Sequence, residues 1–268
     1  MITVDERELH LWVLRLPATD HGPAPMAAWE LDARELRRSR SIVRTSQRLG
    51  YVASHIALRR LLSAYTGIPA GQLKLRRTGC PHCGKPHGRP ALDGSPVPLH
   101  FSLSHSAGVA LVGVAAARVG VDVQKLPPPE TAELCLTALH PGEQAELRAL
   151  PAGRRTEAFA RIWTRKEAYL KGLGTGLCRG AGVDYLGEGD GGDRGGNRRA
   201  GAVRPPGWQV ASLPARPGHA AATALETAGG HCTTVRRLPA ACLYGDDATE
   251  VLAEARHQVC TRLPVPAR

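Results

Sequence analysis

Apolar residues recur along this chain at two spacings, and each spacing predicts a different kind of element. From Tyr51 onward they recur every three or four positions, which predicts a helix with one buried stripe that ends at Gly67. Residues 29–49 are polar and basic, and they are predicted to be helical together with residues 130–150 and 155–173. The predicted helices therefore lie in two blocks, one on each side of a run of strands.

Strands are predicted where polar and apolar residues alternate, or where short apolar runs are bounded by turn residues. The N-terminal MITVDERELHLWVLRL alternates and carries acidic residues early, which favours a strand over a signal peptide. Further strands are predicted at LKLRR, FSLSHS, VALVGVAA and GVDVQKL. The segments WQVASL, HAAATALE and CTTVRRL are predicted to be short strands of a second sheet. Because strands and helices are mixed without a regular βαβ alternation, the pattern predicts the α+β class.

The composition changes after Leu177. Residues 178–207 are rich in glycine and of mixed charge, so they cannot bury enough apolar surface to order themselves. We expect this segment to be a flexible loop, and residues 241–268 to form a polar tail or terminal helix.

Charge and cysteine content limit the class of function. The 268 residues carry 35 Lys and Arg against 24 Asp and Glu, a formal net charge of +11 that favours anionic partners. Aromatic residues are only 4%, which argues against a stacking platform for nucleic acid, and no apolar run is long enough to span a membrane. Seven cysteines without a disulfide-framework spacing indicate a reduced, cytoplasmic protein.

The segment CPHCGKPHGRP contains two separate chemical signals. Cys80 and Cys83 form a CxxC pair with His82 and His87 nearby, but a closed zinc site needs four ligands and the sequence has no second CxxC. A zinc site, a redox-active pair and a plain turn all remain open. The following GRP places Arg89 on a stiff turn, where a guanidinium could bind phosphate.

Two strand ends carry polar side chains. In FSLSHS, Ser104 and His105 are adjacent and so point to opposite faces, which argues against a hydrolase pair and leaves phosphate binding or a structural histidine. In GVDVQ, Asp122 and Gln124 share one face and could offer oxygen to Mg²⁺, or Asp122 could simply form a turn.

The segment WTRKEAYLKGLGTGL predicts a helix that ends in glycines. Glu167 and Lys171 lie four positions apart and share one face, as they would in an ordinary surface ion pair. Together with Asp122, Arg89 and the Ser-His strand end, however, they complete a set of groups suited to phosphate chemistry. In such a site a metal and cations neutralise a diphosphate while a carboxylate takes a proton.

These motifs resemble a known family. GRP at 88–90, FSLSHS at 101–106, GVDVQ at 120–124 and WTRKEAYLKGLGTG at 163–176 have the order and spacing of the Sfp-type 4′-phosphopantetheinyl transferases. The resemblance covers roughly residues 30–180, with weaker similarity to about residue 238. The W-x-x-K-E-A-x-x-K signature with GVD upstream is its most specific part.

The resemblance implies transfer of the phosphopantetheine arm of coenzyme A to a serine of an acyl or peptidyl carrier protein, with release of 3′,5′-ADP. Asp122 and Glu167 would bind Mg²⁺, Glu167 would also take the serine proton, and Lys171 would contact the transferred phosphates. Gln124 stands where many relatives carry a second acidic ligand, so it implies weaker metal binding without coenzyme A.

The same resemblance implies the coenzyme A contacts. Arg89 and His105 would bind its phosphates, with Ser104 beside His105 at the 3′-phosphate. Arg38 would make a second 3′-phosphate contact, with Arg37 as the alternative. An acidic residue near the site, Glu143, is expected to orient Lys171 or the pantetheine end.

The resemblance also implies a monomeric pseudo-dimer of two similar α+β halves, residues 1–115 and 116–240, with coenzyme A in the cleft between them. The first half would bind the adenine and 3′-phosphate side, and the second would supply the metal site and base. Polyketide or nonribosomal peptide carriers are the expected partners. A catalytically weak accessory module that binds coenzyme A or carriers is the main alternative, and a basic nucleic-acid-binding protein is a more distant one.

Overall fold

The computed structural model describes residues 1–19, 25–188 and 205–265, and it confirms the predicted α+β class. The chain divides into two compact units, which are described separately. The first comprises Met1–Arg76, Pro90–Ala116 and His231–Pro264, and the second comprises the described parts of Arg77–Arg89 and Ala117–Gly230.

The described residues form ten strands and six α-helices. The strands are β1 (Glu8–Arg15), β2 (Leu75–Arg77), β3 (Pro90–Leu92), β4 (His100–Ser106), β5 (Val109–Ala115), β6 (Val119–Lys125), β7 (Trp208–Leu213), β8 (His219–Glu226), β9 (His231–Leu238) and β10 (Val259–Val265). The helices are α1 (Ala33–Arg40), α2 (Thr45–Thr66), α3 (Pro129–Leu136), α4 (Pro141–Ala149), α5 (Ala152–Leu173) and α6 (Thr249–Ala255).

A five-stranded sheet in the order β10-β9-β1-β5-β4 forms the first unit's framework. β5 pairs antiparallel with both β1 and β4, whereas β9 pairs parallel with β1. The apolar stripe of α2 lies in this unit's core, where Ile56, Leu61 and Leu62 are fully buried. As predicted, α2 ends at Gly67, which adopts a left-handed conformation with φ 73°.

A three-stranded antiparallel sheet in the order β6-β8-β7 forms the second unit's framework. Helix α5 packs on this sheet through a cluster that includes Ala168, Leu170, Ala222 and Ala224. The helix ends at Gly174, which also adopts a left-handed conformation.

Some predicted boundaries differ from the structure. The expected helix over residues 130–150 is two helices, because Pro141 begins α4 after the His140 cap. Similarly, residues 29–49 hold α1 and the start of α2 rather than one helix.

The predicted division of the chain near residue 240 also differs from the observed units. Residues 231–264 belong to the first unit because β9 forms backbone hydrogen bonds with β1, and the expected tail contains α6 and β10. Of the predicted flexible segment 178–207, residues 189–204 lie outside the described residues. None of the helices in the described part of the chain has the length and hydrophobicity needed to cross a membrane.

Candidate active site

Strand β6 places a carboxylate inside the second unit. Asp122 lies opposite Ala222 of β8, and only 1% of its surface is exposed. Gln124 follows two positions later, on the same face of the strand and closer to solvent. The predicted shared face of Asp122 and Gln124 is therefore present.

Helix α5 approaches β6 closely because two glycines face each other. A Cβ atom at Gly120 would lie 1.8 Å from the Ala168 carbonyl oxygen and 2.5 Å from the Gly172 nitrogen. No residue other than glycine leaves room for this contact. The approach brings the next turn of the helix against the strand that carries Asp122.

The resulting contact joins Lys171 to Asp122. Lys171 Nζ lies 2.6 Å from Asp122 Oδ1 and 3.3 Å from the Val121 carbonyl oxygen. The ion pair thus runs from helix to strand, instead of along the helix surface between residues 167 and 171. This geometry replaces the ordinary surface-pair interpretation of the signature.

Glu167 lies close enough to Asp122 and Lys171 for their charges to affect its pKa. Burial raises the pKa of its carboxyl group, the negative charge of Asp122 raises it further, and Lys171 opposes the shift. Two carboxylates with a single lysine leave one net negative charge, which would offset half of the charge of a divalent cation. Because carboxylate and amide oxygens are hard donors, Asp122, Glu167 and Gln124 form a set that fits Mg²⁺.

Glu143 has a different partner from the one the sequence suggested. Its buried carboxylate lies 2.7 Å from Lys166 Nζ, and it also accepts hydrogen bonds from the backbone N–H groups of Leu186 and Gly187. Glu143 thus contacts Lys166 and not Lys171, and its expected role at the pantetheine end stays a prediction. Glu143 instead fixes Lys166, the residue just before Glu167, to the start of α4.

Arg89 lies at the end of the loop that joins β2 to β3. Its half-buried guanidinium is near Arg118, and burial together with that like charge lowers its pKa. Its buried Nε atom has no hydrogen-bond partner among the described residues. Beside it is Gly174, where a Cβ would lie 3.1 Å from the Arg89 nitrogen. Such a cation, next to another guanidinium, is suited to an anionic ligand.

Arg118 was not predicted from the sequence as a site residue. Its guanidinium pairs with Glu226 and lies 5.7 Å from the ring centroid of Trp208. The sequence offered only a weak signal, a single arginine two positions before Gly120.

The remaining predicted residues lie in the first unit. At the end of β4, Ser104 is buried and His105 is exposed, on opposite faces as expected. The ring of His105 lies 6.4 Å from the ring of Tyr51, which stacks on His55 at 3.9 Å. Tyr51 and His55 were not predicted as site residues, since in sequence they belong to the apolar-periodic helix.

The two arginines Arg37 and Arg38 are exposed on α1. Helix α1 is held by its Asp32 capping box and by Glu35, whose Oε2 lies 2.7 Å from Arg59 Nε. Arg38 is within electrostatic reach of Tyr51: burial raises the pKa of that tyrosine and Arg38 is among the charges that oppose the shift. The charge of Arg38 thus acts on Tyr51, whose ring lies 6.4 Å from that of His105.

Comparisons with known proteins agree with these motifs. Residues 118–213 match the sequence model of the 4′-phosphopantetheinyl transferase superfamily. The chain is 34% identical to the 4′-phosphopantetheinyl transferase HetI of Nostoc sp., over 66% of this chain and 73% of that protein. It is 30% identical to the putative 4′-phosphopantetheinyl transferase slr0495 of Synechocystis sp., over 60% of this chain and 64% of that protein.

A shorter alignment connects the chain to a 4′-phosphopantetheinyl transferase of Bacillus subtilis, with 30% identity over 34% of this chain and 40% of that protein. The segment 118–213 that matches the family model contains Asp122, Glu167 and Lys171. The family and enzyme class predicted from the motifs are confirmed: the chain belongs to the 4′-phosphopantetheinyl transferase superfamily.

Proposed function

We propose that this protein transfers the 4′-phosphopantetheine arm of coenzyme A to a serine of an apo carrier protein, in a Mg²⁺-dependent reaction. The observation that supports this most strongly is the cluster of Asp122, Glu167 and Lys171 at the contact between β6 and α5. It lies within the segment that matches the family.

In the proposed reaction, the serine hydroxyl oxygen of the carrier attacks the β-phosphorus of coenzyme A. The bond between that phosphorus and the bridging oxygen breaks, and 3′,5′-ADP leaves with the bond's electron pair. Glu167 accepts the serine proton, directly or through water. The raised pKa of this carboxyl group brings its proton affinity closer to that needed for a base near neutral pH.

Asp122, Glu167 and Gln124 would hold the Mg²⁺ ion, which supplies charge neutralisation at the diphosphate. Lys171 has one N–H group beyond the two directed at Asp122 and Val121, and this group would bind the transferred phosphate. The ion pair with Asp122 also fixes the ammonium group before the substrate arrives.

We assign coenzyme A phosphates to the basic groups outside this cluster. Arg89 would bind one of them with its half-buried guanidinium. His105, Ser104 and Arg38 would bind the 3′-phosphate, with Arg37 as the alternative to Arg38. The exposed imidazole near Tyr51 and the nearby charge of Arg38 support this assignment.

The proposed partners are carriers of polyketide or nonribosomal peptide synthesis. The net charge of +11 suits two anionic substrates, coenzyme A and an acidic carrier domain. We also propose that the protein acts as a monomer in the cytoplasm. Seven free cysteines fit a reducing compartment.

Intact-mass spectrometry of an apo carrier, incubated with this protein, coenzyme A and Mg²⁺, tests the proposal. The expected result is a mass gain of one phosphopantetheine arm that is abolished by chelator and restored by added Mg²⁺. The absence of any gain across fatty-acid, polyketide and peptide carriers, with folded protein, would contradict it. That result would favour the accessory module that binds coenzyme A or carriers without turnover.

A further inference from the structure

Four side chains of types that can ligate a metal, none of them used by the proposed reaction, come together in the second unit. Three belong to the cysteine loop, defined as residues 78–89: Cys80, Cys83 and His87. The fourth, Cys178, lies in the 3₁₀ helix Gly176–Arg179 that follows α5. Their ligand atoms all lie within 4.8 Å of one another.

The backbone of the cysteine loop directs its three ligands to one point. Cys80 N–H donates to the Lys85 carbonyl at 2.9 Å, and Gly84 N–H donates to the Cys80 carbonyl at 2.8 Å. This tight turn carries the chain back, so that Cys83 Sγ lies 2.9 Å from His87 Nε2. The C-x-x-C-x-x-x-H spacing therefore produces a converging donor set instead of a simple turn.

The distances and donor types fit a tetrahedral ion. Zn–S bonds of about 2.3 Å place two sulfur ligands roughly 3.8 Å apart, so the observed cluster closes around an ion with shifts of about 1 Å or less. Three thiolates and one imidazole are a common structural zinc set, and soft thiolates select against Mg²⁺. Four protein ligands leave no open position for a substrate.

A disulfide explains this arrangement less well. It would join two of the three sulfurs and leave the third thiol and the imidazole without a role. Convergence of His87 with all three cysteines is accounted for by a metal and not by a redox pair. We propose that Cys80, Cys83, His87 and Cys178 bind one structural Zn²⁺ ion.

The ion would connect two parts of the proposed active site. Arg89 lies two positions after His87, and Cys178 lies four positions after Gly174, which contacts Arg89 at the end of α5. Zinc would thus fasten the loop that carries Arg89 to the end of the helix that carries Glu167 and Lys171. This consequence rests on the proposed function, whereas metal binding itself does not.

The first test measures metal in untagged protein purified without chelator. Elemental analysis is expected to give about one Zn²⁺ per chain, falling at least about tenfold in Cys178→Ser and Cys83→Ser. Cys135→Ser and Cys232→Ser, which change thiols outside the cluster, are the matched controls and should keep the metal. Zinc well below one per chain in the wild type, or full zinc in Cys178→Ser, would overturn the proposal.

Cobalt substitution keeps the proposal testable even if Cys178→Ser does not fold. Wild-type protein reconstituted with Co²⁺ should show the visible bands of a tetrahedral thiolate site. His87→Cys retains four ligands, so it should still bind one metal ion and show stronger thiolate-to-cobalt absorption. The absence of tetrahedral bands in both proteins, or a disulfide among these cysteines in protein kept under reducing conditions, would contradict the proposal.

A final measurement separates this inference from the proposed function. Selective removal of zinc, followed by addition of Mg²⁺, should raise the KM for coenzyme A severalfold because Arg89 loses its support, and readdition of Zn²⁺ should restore it. An unchanged KM in zinc-free protein would overturn the positioning role. Metal content is measured without coenzyme A or carrier, so failure of carrier loading would leave that result unaffected.

Discussion

The charges of Asp122 and Glu167 and the neutral amide of Gln124 determine how the proposed metal site behaves. Asp122 and Glu167 supply two negative charges, Lys171 offsets one, and Gln124 supplies none. Mg²⁺ must therefore rely on the diphosphate for much of its charge balance. At this scale the neutral amide is the feature that we expect to make Mg²⁺ binding depend on coenzyme A.

Gln124→Glu should tighten Mg²⁺ binding in the absence of coenzyme A by about tenfold, because a third carboxylate joins the hard oxygen donors. Wild-type protein should bind Mg²⁺ more tightly with coenzyme A than without it. Calorimetric titration of metal, with and without coenzyme A, measures both effects. Equal affinities in the two wild-type titrations would contradict the charge argument.

A buried histidine away from the site gives a pH dependence of stability. Burial lowers the pKa of His231 to about 4, from an ordinary value of 6.5. Between these two pH values the unfolded chain holds more protons than the folded chain, so the free energy of unfolding rises with pH. The full difference is about 3 kcal/mol.

Urea unfolding at several pH values between 4 and 7 measures this slope. His231→Asn should flatten it, whereas His257→Gln, at an exposed position, should leave it unchanged. The same slope in wild type and His231→Asn would show that another group is responsible.

At the scale of elements, the contact between α5 and β6 assembles the site. It depends on Gly120 and Gly172, because a Cβ at Gly172 would lie 3.2 Å from the Gly120 nitrogen on β6 and 2.5 Å from Trp208 Cζ3 on β7. The same helix contains Gly153, where an added Cβ would meet nothing within 4 Å. Substitution by alanine should therefore change the stability of the protein in opposite directions at Gly172 and Gly153.

Gly172→Ala should lower the free energy of unfolding by about 1–3 kcal/mol through overpacking. Gly153→Ala should raise it by about 0.5–1 kcal/mol, since alanine favours the helix more than glycine does. Thermal or urea unfolding of both variants measures the difference. A loss of stability in Gly153→Ala as large as that in Gly172→Ala would refute the close-approach argument.

The elements also show what sequence alone could predict. The spacing of polar residues placed Asp122 on a strand and Glu167 with Lys171 on one helix face, because strand and helix periods are local properties. The partner of Lys166 could not be predicted, since it depends on how α4 and the chain at Leu186 pack around Glu143. Cys178 was missed for the same reason: its zinc-site partners lie far away in sequence.

At the scale of the whole molecule, residues 231–264 belong to the same compact unit as the N-terminal residues 1–76. β9 pairs with β1, so the first unit includes residues from both ends of the described chain. The sequence correctly predicted β9 as a strand but wrongly grouped it with β7 and β8 in a second sheet, because pairing between distant segments has no local signal. The predicted boundary near residue 240 differed for this reason.

The net charge of +11 is also a property of the whole molecule. Raising NaCl from about 50 to about 500 mM should increase the KM for an acidic carrier severalfold and leave kcat nearly unchanged, since salt screens long-range attraction. Steady-state loading assays measure this. A carrier with neutralised acidic side chains near its serine should show a smaller increase, and an identical response of both carriers would exclude electrostatic recruitment.

The central claim is that the carboxylate of Glu167 performs the proton transfer and metal binding at the contact between β6 and α5. The most direct measurement compares carrier-loading rates of Glu167→Gln and Glu157→Gln. Glu157 lies on the same helix in an exposed ion pair with Arg161, which makes it a matched control. Glu167→Gln should lose at least about 100-fold in rate and remain folded, whereas Glu157→Gln should stay within about twofold of wild type. Loading by Glu167→Gln within about threefold of wild type would contradict the account.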